Sequence, residues 1–189
     1  LGEETVTING IAKGSGMVQP NMATMRLSEV VQILARRLDV RPGRVSAIAS
    51  RLQHAGLLPI TEGSRRYPPE VEVGHAATLL LAVIGDRGLG CVPDTASAVG
   101  DYRSQDGGRL ADALLAVLRG QAQPGDLIVR DGGASATFNG HHLVFGNPAE
   151  DGNARFVTSA TLAAIVAELS GASPAHADAV AAITRIRNY

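Results

Sequence analysis

Arginine side chains give this sequence its clearest means of binding a charged partner. Seven arginines lie between positions 36 and 66, where only two acidic residues oppose their charge. They are Arg36, Arg37, Arg41, Arg44, Arg51, Arg65 and Arg66. A guanidinium group stays charged and donates paired hydrogen bonds to phosphates and to guanine edges. Because the whole chain has a formal net charge of −1, this local excess predicts a specific nucleic-acid surface. An ordinary solvated helix surface is the alternative.

The apolar residues around these arginines predict two short helices joined by a tight turn. They are spaced three and four apart, as in packed helices: Leu34, Leu38, Val45 and Ile48. The first helix is expected to end near Asp39, which tolerates a left-handed turn, and the second to begin about Arg44. Small Ala35 allows the helices to cross closely, and Pro42 suits the opening of a helix.

This pattern resembles the helix-turn-helix of bacterial and prophage regulators. The resemblance implies a second helix in the major groove of double-stranded DNA, with five residues facing base edges: Arg44, Ser46, Ala47, Ser50 and Arg51. Phosphate anchoring is expected from Arg36, Arg37, Arg65 and Arg66, and Arg41 in the turn belongs to the same DNA-binding set. The Gly63-Ser64 turn before Arg65 predicts a basic wing, with a plain charged turn as the alternative. Many such proteins read paired half-sites as homodimers, so a homodimer is one option here.

A second candidate for chemistry lies in residues 5–25. This segment contains Lys13-Gly14-Ser15-Gly16-Met17, Pro20-Asn21-Met22-Ala23 and then Thr24. It resembles the autocleavage segment of the ornithine acetyltransferases, which are bifunctional glutamate N-acetyltransferases of arginine synthesis. The resemblance implies that the bond between Ala23 and Thr24 is cut, that Thr24 becomes an N-terminal nucleophile, and that Lys13 contacts the substrate. A freed α-amine, with a pKa of about 8, is a suitable general base for its own hydroxyl.

Three interpretations of residues 5–25 stay open: a working part of an acetyltransferase, the product of a gene-prediction or recombination accident, and a coincidental tail. After Met25 the sequence shows helix signals, where the family has a strand and a second lobe. This change favours a junction at Met25, with the main domain beginning there. The oxyanion donors that the family takes from upstream sequence are not found, and a nucleophile without them loses most of its rate advantage.

Composition excludes several classes of protein. With 45% apolar residues, the 189-residue chain can build a substantial core. Its one cysteine, Cys91, excludes an intramolecular disulfide and a cysteine-rich zinc site. The longest apolar run, residues 76–84, is too short to cross a bilayer, and no signal peptide is recognised. We therefore expect a cytoplasmic protein without a membrane partner.

No cofactor or metal is expected from the sequence. His141 and His142 are adjacent on a predicted strand, so their side chains point to opposite faces and cannot share one ion. The glycine-rich stretch GDRGLG at residues 85–90 lacks the lysine of a phosphate-binding loop. His75, at the start of a predicted helix, is expected to be a capping or core residue.

A change of hydrophobic period at Pro124-Gly125 divides the sequence into two parts. Strands are predicted at residues 127–129, 134–138, 141–145 and 154–157, with Asn139-Gly140 as a hairpin turn. A helix at residues 160–169 is expected to cover this β-meander. The predicted fold is α+β and mainly helical. It comprises an acetyltransferase-like, loosely docked arm (1–25), a helical domain with the winged helix-turn-helix (26–122), and the β-meander with its helices (123–189).

The function that best fits these features is DNA binding, as a transcription regulator or a phage-type factor that marks DNA. The first alternative is a fragment or fusion of an ornithine/glutamate N-acetyltransferase with Thr24 as the nucleophile. The second is a protein-interaction module whose helices bind a partner and never contact DNA.

Overall fold

A computed structural model describes residues 25–60 and 70–187. Within these ranges the protein is α+β, as predicted, with seven α-helices and one four-stranded antiparallel sheet. The helices are α1 (Leu27–Arg37), α2 (Pro42–His54), α3 (Val73–Ile84), α4 (Val92–Gly100), α5 (Leu110–Leu118), α6 (Ser159–Leu169) and α7 (Pro174–Arg187). The strands are β1 (Leu127–Arg130), β2 (Gly133–Phe138), β3 (His141–Gly146) and β4 (Arg155–Val157).

The first two helices form where the apolar spacing predicted them. Val30 and Leu34 on α1 are fully buried, and so are Val45 and Ile48 on α2. Pro42 opens α2, where its missing N–H costs no hydrogen bond. The apolar faces of α1 and α2 pack against each other and onto the rest of the core.

Helix α3 is the centre of the helical part, because α2, α4 and α5 all pack against it. It is apolar on nearly every side, and Leu79 and Leu80 are fully buried. The backbone N–H of Glu72 donates to His75 Nδ1 at 3.1 Å. His75 therefore caps the start of α3, which confirms the structural role expected for it.

The sheet has the strand order β3-β2-β1-β4. Strands β1, β2 and β3 form the predicted meander, and β4 returns to pair with the free side of β1. Asn139 and Gly140 join β2 to β3 with φ angles of +52° and +76°. Two consecutive positive φ angles are the mark of a type I′ turn, so the hairpin predicted from this dipeptide is confirmed.

One apolar core runs through the helices and the sheet. Leu127 of β1 and Ile165 of α6 are fully buried in the same cluster as the apolar faces of α1, α2 and α3. Helix α6 packs mainly against α7 and α1, and α5 contacts β2. The proposed boundary between residues 122 and 123 is thus crossed by continuous packing, while the division into domains stays a prediction. None of the helices in the described ranges is long and apolar enough to cross a bilayer.

Candidate nucleic-acid interface

The turn between α1 and α2 has the backbone geometry that the sequence predicted. Asp39 adopts φ = +52°, in the left-handed region where aspartate is among the better tolerated residues. The N–H of Val40 donates to the carbonyl of Ala35 at 2.9 Å, which closes the end of α1 in a Schellman-type cap. Ala35 is buried, and its small side chain lets α2 cross close to α1.

The outer face of α2 carries four of the residues predicted to contact DNA. Ser46, Ser50 and Arg51 are exposed, and Ala47 is half-buried. Arg41, at the N-cap of α2, is exposed too. Within the described residues neither Arg41 nor Arg51 forms an ion pair, so both guanidinium groups are available to a partner. We call Arg41, Ser46, Ala47, Ser50 and Arg51 the α2 face.

The guanidinium group of Arg44 is paired with a carboxylate of the protein itself. Its Nε donates to Oδ2 of Asp86 and its Nη2 donates to Oδ1, each at 2.8 Å. The N–H of Gly88 donates to the same Oδ1 at 2.9 Å. The Arg44 guanidinium holds the pKa of the Asp86 carboxyl below its usual range, although partial burial acts in the opposite direction. This bidentate pair joins the start of α2 to the loop that follows α3.

Arg36 and Arg37 also have partners within the protein. Both donate to the carboxylate of Glu168 on α6, which is only 3% exposed. Arg37 makes a further ion pair with Asp178 on α7 at 2.5 Å and donates to the carbonyl of Pro174. These contacts tie the end of α1 to α6 and α7. Arg36 and Arg37 therefore hold α1 against α6 and α7, and they do not belong to the α2 face. The side chain of Arg36 is nevertheless 48% exposed.

A shallow groove of about 430 Å³ lies between the first half of α1 and α2. Its polar lining includes Ser28 and Gln32 from α1 beside Ser46 from α2. The sequence did not predict a place in the site for Ser28, which was expected to open the first helix, or for Gln32, because both are ordinary polar residues of an amphipathic helix. Because these two side chains lie next to Ser46, they add neutral hydrogen-bonding groups beside the α2 face.

Comparison with known proteins finds matches to arginine-synthesis enzymes. A Nostoc protein, the arginine biosynthesis bifunctional protein ArgJ 1, is 34% identical over 95 residues, which are 44% of this chain and 23% of that protein. A Synechococcus ArgJ has the same identity and coverage. The Bartonella quintana ArgJ is 56% identical over 45 residues, which are 24% of this chain and 11% of that protein.

The similarity is partial. The chain spans less than a quarter of the length of these relatives. No family model matches it, and no solved structure matches it either. The matches support the presence of an acetyltransferase-like segment and give no support to the helix-turn-helix as a DNA-binding element.

Several predicted site residues lie outside the described part of the chain. They are Lys13 and Thr24 of the acetyltransferase-like segment and Arg65 and Arg66 of the predicted wing. The predicted arm of residues 1–25 is described only at Met25. There the N–H of Val71 donates to the carbonyl of Met25 at 3.0 Å, so residue 25 is paired to the segment just before α3.

The described ranges contain no cluster of three or more histidine, cysteine or acidic residues that could hold a metal ion. His141 and His142 both lie on β3, opposite Phe138 and Thr137, and both are exposed.

Proposed function

We propose two functions, carried by different parts of the chain and supported by different observations. Residues 5–25 are proposed to act as a self-cleaving acetyltransferase segment, and the partial similarity to the arginine-synthesis enzymes, over stretches of 45 and 95 residues that are longer than this segment, supports the assignment. Residues 25–187 are proposed to bind duplex DNA, and this assignment is supported by the geometry of α1 and α2 alone. Of the two, the comparisons favour the first.

For the acetyltransferase segment, the proposed reaction begins with attack of the Thr24 hydroxyl on the carbonyl of Ala23. The peptide bond breaks as an ester forms on Thr24 Oγ, which frees the α-amine of Thr24, and water then hydrolyses the ester to release the Thr24 hydroxyl and the carboxylate of Ala23. The free amine then acts as a base for the same hydroxyl, which carries the acetyl group between ornithine and glutamate. Since the chain covers under a quarter of its relatives, the complete acetyl transfer is proposed only by resemblance.

Intact-mass spectrometry of the purified chain tests the segment directly. Self-cleavage gives two fragments, one that ends at Ala23 and one that begins at Thr24. Thr24→Ala, which removes the hydroxyl, is expected to stay whole, and Thr24→Ser, which keeps it, is expected to be cut. An uncut wild-type chain would remove Thr24 as an N-terminal nucleophile and leave residues 5–25 without this function.

For residues 25–187, the observation that supports DNA binding is the exposed outer face of α2, which follows a left-handed turn at Asp39. Small side chains at Ser46, Ala47 and Ser50 let the helix backbone approach a groove closely. The exposed guanidinium groups of Arg41 and Arg51 can reach phosphates or guanine edges from the same helix. Arg41 at the helix start can also act together with the positive end of the helix dipole toward a phosphate.

The ion pairs of the structure narrow the set of residues proposed to touch DNA. Arg44 is held by Asp86 and Arg37 by Glu168 and Asp178, so each would have to break a charge-assisted contact before it met a phosphate. We therefore propose that Arg37 and Arg44 position α1 and α2, and that Arg41 and Arg51 make the direct contacts. Arg36 keeps a largely open side chain and can add a phosphate contact beside its bond to Glu168.

Binding to a mixed-sequence duplex, followed by fluorescence anisotropy over a range of salt, tests this second function. Direct phosphate contacts release counterions, so log K should fall linearly with log salt, with a slope of about −0.9 for each contact. Absence of binding at low salt would contradict the DNA proposal, and a partner protein bound by the same helices would become the leading alternative.

A further inference from the structure

A cavity of about 570 Å³ lies between the end of α3 and the sheet. Its walls combine apolar side chains with charged ones, and the apolar part comes from Ile84, Val99 and Val129. A space of this size is within the range of small-molecule sites, which are mainly apolar with a few convergent polar groups. Four separate segments border it: the end of α3 with the loop that follows, Val99 of α4, the end of β1, and the start of β4 with the residues just before it.

The side chains that line this cavity carry more positive than negative charge. The carboxylate of Asp86 is already occupied by Arg44 and by the N–H of Gly88. Asp131 pairs with Arg87 at 2.5 Å. Two further guanidinium groups line it, those of Arg130 and Arg155, and neither forms an ion pair with a described residue, although the charge of Arg155 contributes to holding the pKa of the Asp86 carboxyl low. The cavity thus holds an excess of positive charge over an apolar floor.

The two guanidinium groups differ in how firmly they are held. Arg130 donates from Nη1 to the carbonyls of Glu150 at 2.6 Å and Ala149 at 3.2 Å, which fixes its orientation. These bonds leave its Nε and Nη2 for another acceptor. Arg155, at the first position of β4, is exposed, and its partner on β1 is Val129, so it lies on the same face of the sheet as Val129 and on the face opposite to Arg130. Its guanidinium group, next to the apolar wall, is therefore the donor that suits a carboxylate or sulfonate in the cavity.

We propose that this cavity binds a small organic anion, with its acid group on Arg155 and its apolar body against Ile84, Val99 and Val129. An inorganic anion would leave the apolar wall uncovered, and a neutral hydrophobe would leave the guanidinium groups without an acceptor. The lining of the cavity therefore selects a molecule that has both parts.

The cavity also adjoins the contact that positions α2. Asp86 lines the cavity and holds Arg44 at the beginning of α2. An anion bound beside Asp86 adds negative charge next to the Arg44–Asp86 pair, so binding in the cavity is coupled electrostatically to the contact that positions α2. If residues 25–187 bind DNA as proposed, the anion and the DNA each alter the affinity of the other by the same factor. This regulatory consequence rests on the proposed function, whereas the site itself does not.

The test uses two fluorescent probes that share their rings and differ in charge. The anionic probe 8-anilinonaphthalene-1-sulfonate is expected to bind the full chain with a stoichiometry of one. Arg155→Gln is expected to weaken this binding about tenfold, the effect of losing one charge-assisted hydrogen bond. Arg119→Gln is the matched control, because Arg119 is an exposed arginine at the end of α5, outside the cavity. The uncharged relative N-phenyl-1-naphthylamine should respond to neither substitution.

Three results would overturn the site. They are no binding of the sulfonate, equal affinity for the wild-type chain and Arg155→Gln, or an equal loss in Arg119→Gln, which would indicate general electrostatic attraction. Arg155→Lys restores the charge without the fork of donors and should recover part of the affinity. Since no DNA is present, failure of this experiment is distinguishable from failure of the DNA-binding proposal.

Discussion

Arg44 and Asp86 join α2 to the loop after α3 through two parallel hydrogen bonds, each 2.8 Å long. The side chain of Asp86 is 12% exposed and that of Arg44 is 36% exposed, so the pair is partly shielded from water. A residue that the helix-turn-helix pattern places at a DNA-facing position is therefore committed to the protein itself. This contact makes the orientation of α2 depend on the loop after α3.

The Arg44–Asp86 pair should make stability depend on pH in the acid range. Arg44 lowers the pKa of Asp86 in the folded protein, so the stabilisation is fully present above the unfolded-state pKa of about 4. It is lost as the pH falls through the lower folded-state pKa. Urea unfolding at several pH values between about 5 and 2 should show a smaller loss of stability for Asp86→Asn than for the wild-type chain. Identical acid profiles would contradict this role for the pair.

Glu168 should be among the most sensitive polar residues of the fold. It is 3% exposed and accepts from both Arg36 and Arg37, so Glu168→Gln removes a buried charge that two guanidinium groups require. We expect a loss of about 3 kcal/mol in the free energy of unfolding, measured with urea. Asp178→Asn is the matched control. It breaks an ion pair of Arg37 with a carboxylate that is 66% exposed, and should cost less than about 1 kcal/mol. A larger effect for Asp178→Asn than for Glu168→Gln would contradict the greater importance of the buried carboxylate.

Replacing Gly140 and Gly43 by alanine should change the free energy of unfolding in opposite directions. Gly140 has φ = +76° in the β2–β3 turn, so Gly140→Ala should lower the free energy of unfolding by about 1 kcal/mol. Gly43 lies in the first turn of α2, and an added Cβ there meets no atom within 4 Å. Gly43→Ala should raise the free energy of unfolding by about 0.5 kcal/mol, because it restricts the unfolded chain. Equal effects of the two substitutions would be inconsistent with these backbone conformations.

The local features of the fold could be predicted from the sequence because they leave local signals. Apolar residues three and four apart located α1 and α2, and the Asn139-Gly140 dipeptide located the hairpin. The left-handed conformation of Asp39 was compatible with its place in the predicted turn, because aspartate tolerates this conformation better than most residues. Each of these features is decided by residues within a few positions of one another.

The contacts that define the candidate site could not be predicted in this way. Arg44 and Asp86 are 42 positions apart, and Arg36 and Glu168 are 132 positions apart. Pairing between distant segments produces no periodic pattern in a single sequence. The number of arginines in the sequence therefore predicted a broad basic surface. In the fold, Arg37 and Arg44 form ion pairs within the protein, whereas Arg41 and Arg51 form none with the described residues. The cavity beside Asp86, bordered by four distant segments, was unpredictable for the same reason.

The most direct test of DNA binding through α2 compares two double variants of equal charge in the anisotropy assay. Arg41→Gln with Arg51→Gln removes the free cations of the α2 face, and Arg103→Gln with Arg119→Gln removes two exposed arginines elsewhere. Titrations over a range of salt should show that the first variant binds more weakly and that its salt slope is smaller by about 2. The second variant should match the wild-type chain. Equal affinities for both variants, with circular dichroism showing intact folds, would contradict DNA binding through α2.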